Sequence, residues 1–222
     1  MFLVFDTETT GLPRKASRWN AGYEPHVIQL AAFLFADDGR RLQGGSLIVD
    51  PGEGVEVEPG AARVHGITTQ IAREQGVPLN FALAMFAHLY GRCEEAVAFN
   101  AKFDVEMLEL SFRRQGSFKP GMSSEAFWTR FKGGPIRCAM EPSVDLVGLP
   151  PTEAMLATGR NHAKTPKLAE AYRHFFGEEM KGAHDAAADA DACARVWVEL
   201  RRLGAVSKPA SRIVVREAAP TP

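Results

Sequence analysis

Asp6 and Glu8 close the first apolar run of the chain, FLVFDTETTGLP (Phe2–Pro13). Side chains alternate along a strand, so residues two apart share a face. Asp6 and Glu8 therefore point the same way, with Thr7 turned to the other side. Like charges held this close repel and raise one another's pKa. Two more acids occupy comparable places further on. In FNAKFD (99–104), Asn100 ends an apolar run and suits a helix N-cap, which puts Asp104 at the fourth helical position. In GAHDAAADAD (182–191), Asp185 suits the N-cap of the last helix and Asp189 falls at its fourth position. His184 then stands just outside, on the entry loop, from which it can swing toward a site closed to a helical residue. Singly, each has a plain structural reading: an acid pair on a loop past a strand, first-turn acids that complement a helix dipole, a surface histidine beside a capping acid. Jointly, they can meet at the C-terminal edge of one sheet, where α/β folds place their sites. Four carboxylates gathered there need counter-charge, which hard divalent cations with oxygen ligands, Mg²⁺ or Mn²⁺, supply. Two such ions about 4 Å apart clamp the attacking and leaving oxygens of a phosphodiester displacement. A histidine beside them can take a proton from the attacking water.

The elements that must position these residues follow from hydrophobic period and turn residues. Buried strands are expected at 2–6, 27–36 and 41–50, the last two joined by the turn DDGR at 37–40. They form an antiparallel meander. Past a Pro/Gly/Glu loop at 51–60 the apolar spacing becomes helical, in TTQIAREQG and LNFALAMFAHLYGRC. Short strands at 96–100 and 136–140 alternate with helices over about 101–115, 144–157, 166–176 and 186–203. This order is that of an α/β domain with a mixed five-stranded sheet flanked by helices. It spans 1–204, followed by a tail, 205–222, expected to be loosely ordered. Residues 116–135 read as a Gly-flanked insertion with interleaved aromatic and basic residues.

With 222 residues, 45% hydrophobic and 24% charged, the chain fits one soluble domain with a core that folds without disulfides. Its three cysteines, Cys93, Cys138 and Cys193, are far apart and form no C-x-x-C pair. Reduced thiols in a cytoplasmic protein are expected. No apolar run approaches the roughly 20 residues that cross a bilayer; the longest, VIQLAAFLFA, is broken by Gln29. A net charge of −1 carries no basic footprint for a long duplex and mildly favours a short or single-stranded substrate.

The three acidic segments resemble the three motifs of the DEDD (DnaQ-like) 3′→5′ exonuclease superfamily, in its histidine branch. D-x-E matches FDTETTGL, N-x-x-F-D matches NAKFD, and H-x-A-x-x-D matches HDAAAD, in the same order. VHGIT (64–68) and KTPKL (164–168) also look like segments of that superfamily. The resemblance spans about residues 1–203 and implies a ribonuclease H-like fold. It implies that Asp6, Glu8, Asp104 and Asp189 hold two divalent ions, Mg²⁺ or Mn²⁺, with Asp6 bridging and His184 as general base. It implies that the backbone around Thr7 to Thr9 holds the 3′-terminal nucleotide, that Leu12 packs on its base, and that His65, Asn100 and Phe103 line the same pocket. Each of these last three also has a structural reading, as loop anchor, helix cap and core residue. Arg14, Lys15, Arg18, Trp19, Trp128, Arg130 and Lys132 could stack bases and contact phosphates, or simply decorate the surface. The expected activity is removal of nucleoside 5′-monophosphates from a nucleic-acid 3′ end, DNA slightly favoured, with a polymerase or replication partner possible. The alternatives are an RNA-trimming exoribonuclease and a non-catalytic nucleic-acid or polymerase-binding module.

Overall fold

The computed structural model describes residues 1–14, 22–119 and 122–207. Strand β1 (Phe2–Thr9) runs through the middle of a five-stranded sheet of order β3-β2-β1-β4-β7. β2 (Val27–Phe35) and β3 (Arg41–Ile48) form the antiparallel meander on one side, while β4 (Glu95–Ala98) and β7 (Ile136–Cys138) continue the sheet in parallel on the other. The sheet is thus mixed and five-stranded, as the spacing of the apolar runs predicts.

The register sorts β1 into two faces. Leu3 and Phe5, opposite Leu34 and Ala32 of β2, join the main core with α3 (Leu79–Tyr90), α4 (Ala101–Arg114) and α5 (Ser124–Lys132). Phe2 and Val4, opposite Phe35 and Phe33, join a second core with α8 (Leu168–Phe176) and α9 (Ala186–Arg202), centred on the buried Trp197. A small satellite of Ile28, Val57, Ile67 and Ala72 lies under α1 (Pro59–His65) and α2 (Thr69–Gln75). Among the described residues, no helix is long and apolar enough to cross a membrane.

Four expectations need correction. The Gly-flanked segment 116–135 is part of the core and not an insertion into it: a hairpin, β5 (Ser117–Lys119) and β6 (Met122–Ser123), leads into α5, whose Phe127 and Phe131 are buried in the main core. Phe131 lies edge-on to Phe86, 5.3 Å between centroids, an arrangement aromatic rings favour. The single helix expected over 144–157 is two, α6 (Met140–Val147) and α7 (Glu153–Ala157). Gly148, at φ 61°, caps α6 in the left-handed conformation, and Pro150 and Pro151 bar a continuous helix. The strands at 96–100 and 136–140 end earlier, at Ala98 and Cys138, because the chain turns there into α4 and α6. Finally, the tail is docked at its start: Ala205 N–H donates to the Leu200 carbonyl and Val206 packs on the second core, while 208–222 lie outside the described residues.

At the N-terminal edge of the sheet, Glu95 of β4 is fully buried and met by positive or donating groups. Trp197 Nε1 donates to its Oε1 at 2.9 Å, Arg201 donates to the same oxygen, and Arg137 Nε stands 3.4 Å from Oε2.

Candidate active site

At the opposite edge, β1 outlasts its parallel neighbour. β4 pairs with β1 only through Val4 and then turns into α4. The Thr7 N–H that another strand would have taken donates instead to Asp104 Oδ1, at 3.0 Å, and the Thr7 hydroxyl donates to the same oxygen at 2.8 Å. Thr7 faces the α4 side of the sheet, opposite to Asp6 and Glu8, so it brings the first turn of α4 to the strand end. Asp104 is the fourth residue of α4 and 4% exposed.

From the other face comes α9. Asp185 is its N-cap, with Oδ1 accepting from Ala187 and Ala188 N–H at 3.0 and 3.1 Å. Asp189 sits at the fourth position, its Oδ1 accepting from His184 N–H at 3.2 Å. His184 adopts φ 68°, the only left-handed non-glycine residue among those described. This conformation is uncommon outside glycine and turns the entry loop so that its imidazole, exposed to solvent, meets the acids. One ligand atom from each of Glu8, His184 and Asp189 lies within 4.8 Å of the others.

The electrostatics are those of uncompensated acids. Burial, then the charges of Asp104, Asp189 and Glu8, hold Asp6 well above the ordinary carboxylate range. Glu8 is pushed up to about 8 by burial and by Asp189, Asp104 and Asp185. Asp104 rises to about 7 through burial, against the pull of its bonds from Thr7, and Asp189 to about 6 through burial. Oxygen donors held in mutual repulsion, with one imidazole beside them, are a donor set that suits a hard divalent cation.

The other expected site residues fall around this centre in different ways. Thr9 is buried and its hydroxyl donates to the Gly11 carbonyl at 2.7 Å. His65 accepts from Ile67 N–H at Nδ1, which leaves Nε2 protonated to donate to the Thr9 carbonyl at 3.3 Å. Burial holds its pKa down. Leu12 is 70% exposed. Asn100 occupies the N-cap position of α4 but its side chain makes no capping bond and is exposed. Phe103 is half-buried against the main core.

The basic and aromatic candidates are mostly engaged elsewhere. Arg14 pairs with Glu58 and stacks on Tyr23. Trp128 packs on Phe112 and Phe131 and donates to Glu109, which Lys132 also faces at 3.4 Å. Arg130 is exposed. Lys15, Arg18 and Trp19 lie outside the described residues. Asp191 is a surface charge paired with Arg41 at 3.0 Å. The Thr7 hydroxyl, the charge of Asp185 and Gln29 beneath it were not legible as parts of the site; the one signal was an amide interrupting an apolar strand.

A family model for exonucleases, RNase T, matches residues 3–131, a span that holds Asp6, Glu8 and Asp104 and ends before His184 and Asp189. The DNA polymerase III subunit epsilon of Pasteurella multocida (strain Pm70) is 30% identical over 113 residues, 50% of this chain and 42% of that protein. In fold the chain is similar to Escherichia coli exonuclease I in complex with a dT13 oligonucleotide, with a TM-score of 0.68 and 20% identity over 91% of this chain and 42% of that one. A zinc-ion-bound form of the E. coli ExoI–ssDNA complex gives a TM-score of 0.65 and 20% identity, over 90% and 40%. The chain thus spans about two-fifths of the length of these relatives. Because the matched residues make up more than half of its length, the chain belongs to the RNase T exonuclease family.

Proposed function

We propose that this chain is a metal-dependent 3′→5′ exonuclease that hydrolyses the terminal phosphodiester bond of a DNA 3′ end and releases nucleoside 5′-monophosphates. The observation that carries the reading is the meeting of Asp6, Glu8 and Asp104 with His184 and Asp189 at one sheet edge, with no arginine or lysine among the described residues that shift these acids. Asp6, Glu8, Asp104 and Asp189 would hold two divalent ions, Mg²⁺ or Mn²⁺. When bound, the ions supply counter-charge to the acids and Lewis-acid stabilisation to the reacting phosphate.

The chain's own residues do the rest. An imidazole nitrogen of His184 takes the proton of the attacking water, from a loop that leaves the ring open to solvent. Asp189 holds that loop through the His184 N–H. Thr7 fixes Asp104, and His65 braces the Thr9 carbonyl. Leu12, exposed just past the end of β1, would offer an apolar surface to the terminal base, and Asn100 and Phe103, at the start of α4, would line the same pocket. DNA is favoured over RNA because the relatives are a DNA polymerase subunit and an exonuclease bound to oligodeoxynucleotides.

The test uses single-stranded DNA and RNA oligonucleotides labelled at the 5′ end, incubated with Mg²⁺, Mn²⁺ or excess EDTA, with the Asp104→Ala protein alongside. The expected result is a ladder shortening by one nucleotide at a time on DNA, absent in EDTA and in the variant. Binding without a ladder in either metal would overturn the reading.

A further inference from the structure

Gln29 is 6% exposed, third in a strand otherwise built of apolar residues. A buried amide needs partners, and this one spends its bonds on α9. Its Nε2 donates to Asp185 Oδ2 at 3.1 Å and to Ser46 Oγ of β3 at 3.1 Å, and its Oε1 accepts from Ala186 N–H at 3.2 Å. In the register of the sheet Gln29 is paired with Glu8, so the two side chains leave the same face side by side. The bulge next to it, where Thr9 pairs with Val27, turns Ile28 into the satellite core under α1 and α2. One amide therefore ties the cap and first residue of α9 to the strand position beside Glu8. Both His184 and Asp189 hang on that turn of helix, Asp189 Oδ1 taking the His184 N–H. Without the tie, the Asp185 carboxylate would be held only by the Ala187 and Ala188 N–H groups of its own helix, with no bond from α9 to the sheet through it.

We infer that Gln29 is a positioning residue: its amide fixes the first turn of α9 against β1 and β2, so that His184 and Asp189 face Glu8 closely enough to share a divalent cation. The inference rests on the metal-dependent reading above. A neutral amide also does this without adding another charge, as a carboxylate at position 29 would.

The test measures the Mn²⁺ concentration that gives half of the metal-induced rise in Tm, together with kcat and KM on a single-stranded DNA oligonucleotide. Gln29→Met keeps length and removes every bond. It should raise the half-effect concentration and lower kcat by about 10- to 100-fold, the cost typical of losing a group that orients metal ligands, with KM little changed. Ser46→Ala, which removes the bond to β3 and leaves those to α9, should match the wild type. Gln29→Glu alone should behave like Gln29→Met. The double variant Gln29→Glu/Asp185→Asn exchanges donor and acceptor at unchanged net charge and should recover most of the metal response. If Gln29→Met fails to fold, Gln29→Glu and the double variant carry the comparison. A wild-type Mn²⁺ titration in the folded Gln29 variants, or an equal loss in Ser46→Ala, overturns the positioning role alone. A wild-type chain showing neither a metal-induced shift nor turnover overturns it together with the exonuclease reading.

Discussion

The two edges of the same sheet treat buried acids in opposite ways. At the N-terminal edge, Glu95 is fully buried between β7 and α9, and the fold brings Arg201, Arg137 and the Trp197 indole to it. At the C-terminal edge, burial and the charges of neighbouring acids raise the affinity of Asp6, Glu8, Asp104 and Asp189 for protons, and among the described residues no arginine or lysine is one of the groups that shift them. Both edges are built from β1, β4 and α9, so the sequence had the means to place a guanidinium at either end. Removing a buried charge from water costs several kcal/mol unless a partner offsets it. Where the partner is built in, the acid is architecture; where it is withheld, the place suits a cation from solution.

The largest effect should come from cancelling one uncompensated acid. Asp6→Asn is expected to bring turnover in Mg²⁺ to background while the metal-free protein melts higher than wild type, because the amide relieves repulsion. A variant that loses both activity and stability would show Asp6 to be structural, like Glu95. Next is His184→Ala, which should lower kcat by about 10²- to 10⁴-fold, the usual worth of a positioned base, with the Mn²⁺-induced rise in Tm retained. Near-normal turnover there would remove His184 from the chemistry. Glu95→Gln should do the reverse of Asp6→Asn: stability falls by about 3–5 kcal/mol, as when one member of a buried ion pair is removed, with the metal response unchanged. Denaturant melts with and without Mn²⁺ separate the two cases.

The acids themselves were legible because strand and helix periods are rigid. Two residues apart on β1 and the fourth place after an N-cap leave little freedom, and Asp104 and Asp189 occupy those positions in α4 and α9. What could not be read depends on tertiary contact. Nothing local distinguishes a strand amide that interrupts a core from one that ties down a helix, so Gln29 passed as an interruption. The left-handed turn at His184 carries too weak a residue-level signal to be read, since histidine, although more tolerant of it than most residues, adopts it seldom. Phe127 and Phe131 were hidden by the basic and polar residues interleaved with them on α5, whose apolar stripe is visible only once the segment is known to be a helix. The break between α6 and α7, by contrast, stood in the sequence as Gly148, Pro150 and Pro151.

The finest distinction between the edges is in pH. A group whose folded pKa lies above its unfolded value binds a proton in the folded chain that the unfolded chain has already released, so stability falls as pH rises between the two values. For the C-terminal edge that interval runs from the ordinary 3.8–4.5 up to about 6 for Asp189, 7 for Asp104 and 8 for Glu8. His26 and His65, held below the usual 6.5 by burial, act in the opposite sense, but only below that pH. Between pH 6.5 and 8, of these shifted groups only the acids act. In EDTA, Tm should therefore drop across this interval, and Glu8→Gln should flatten the drop by removing a carboxyl whose pKa is pushed up to about 8. Saturating Mn²⁺ should lift Tm more at pH 8 than at pH 6.5, because protons no longer compete for the same oxygens. A Tm in EDTA that rises from pH 6.5 to 8 would mean that the acids are already compensated within the protein, and the contrast between the two edges would disappear.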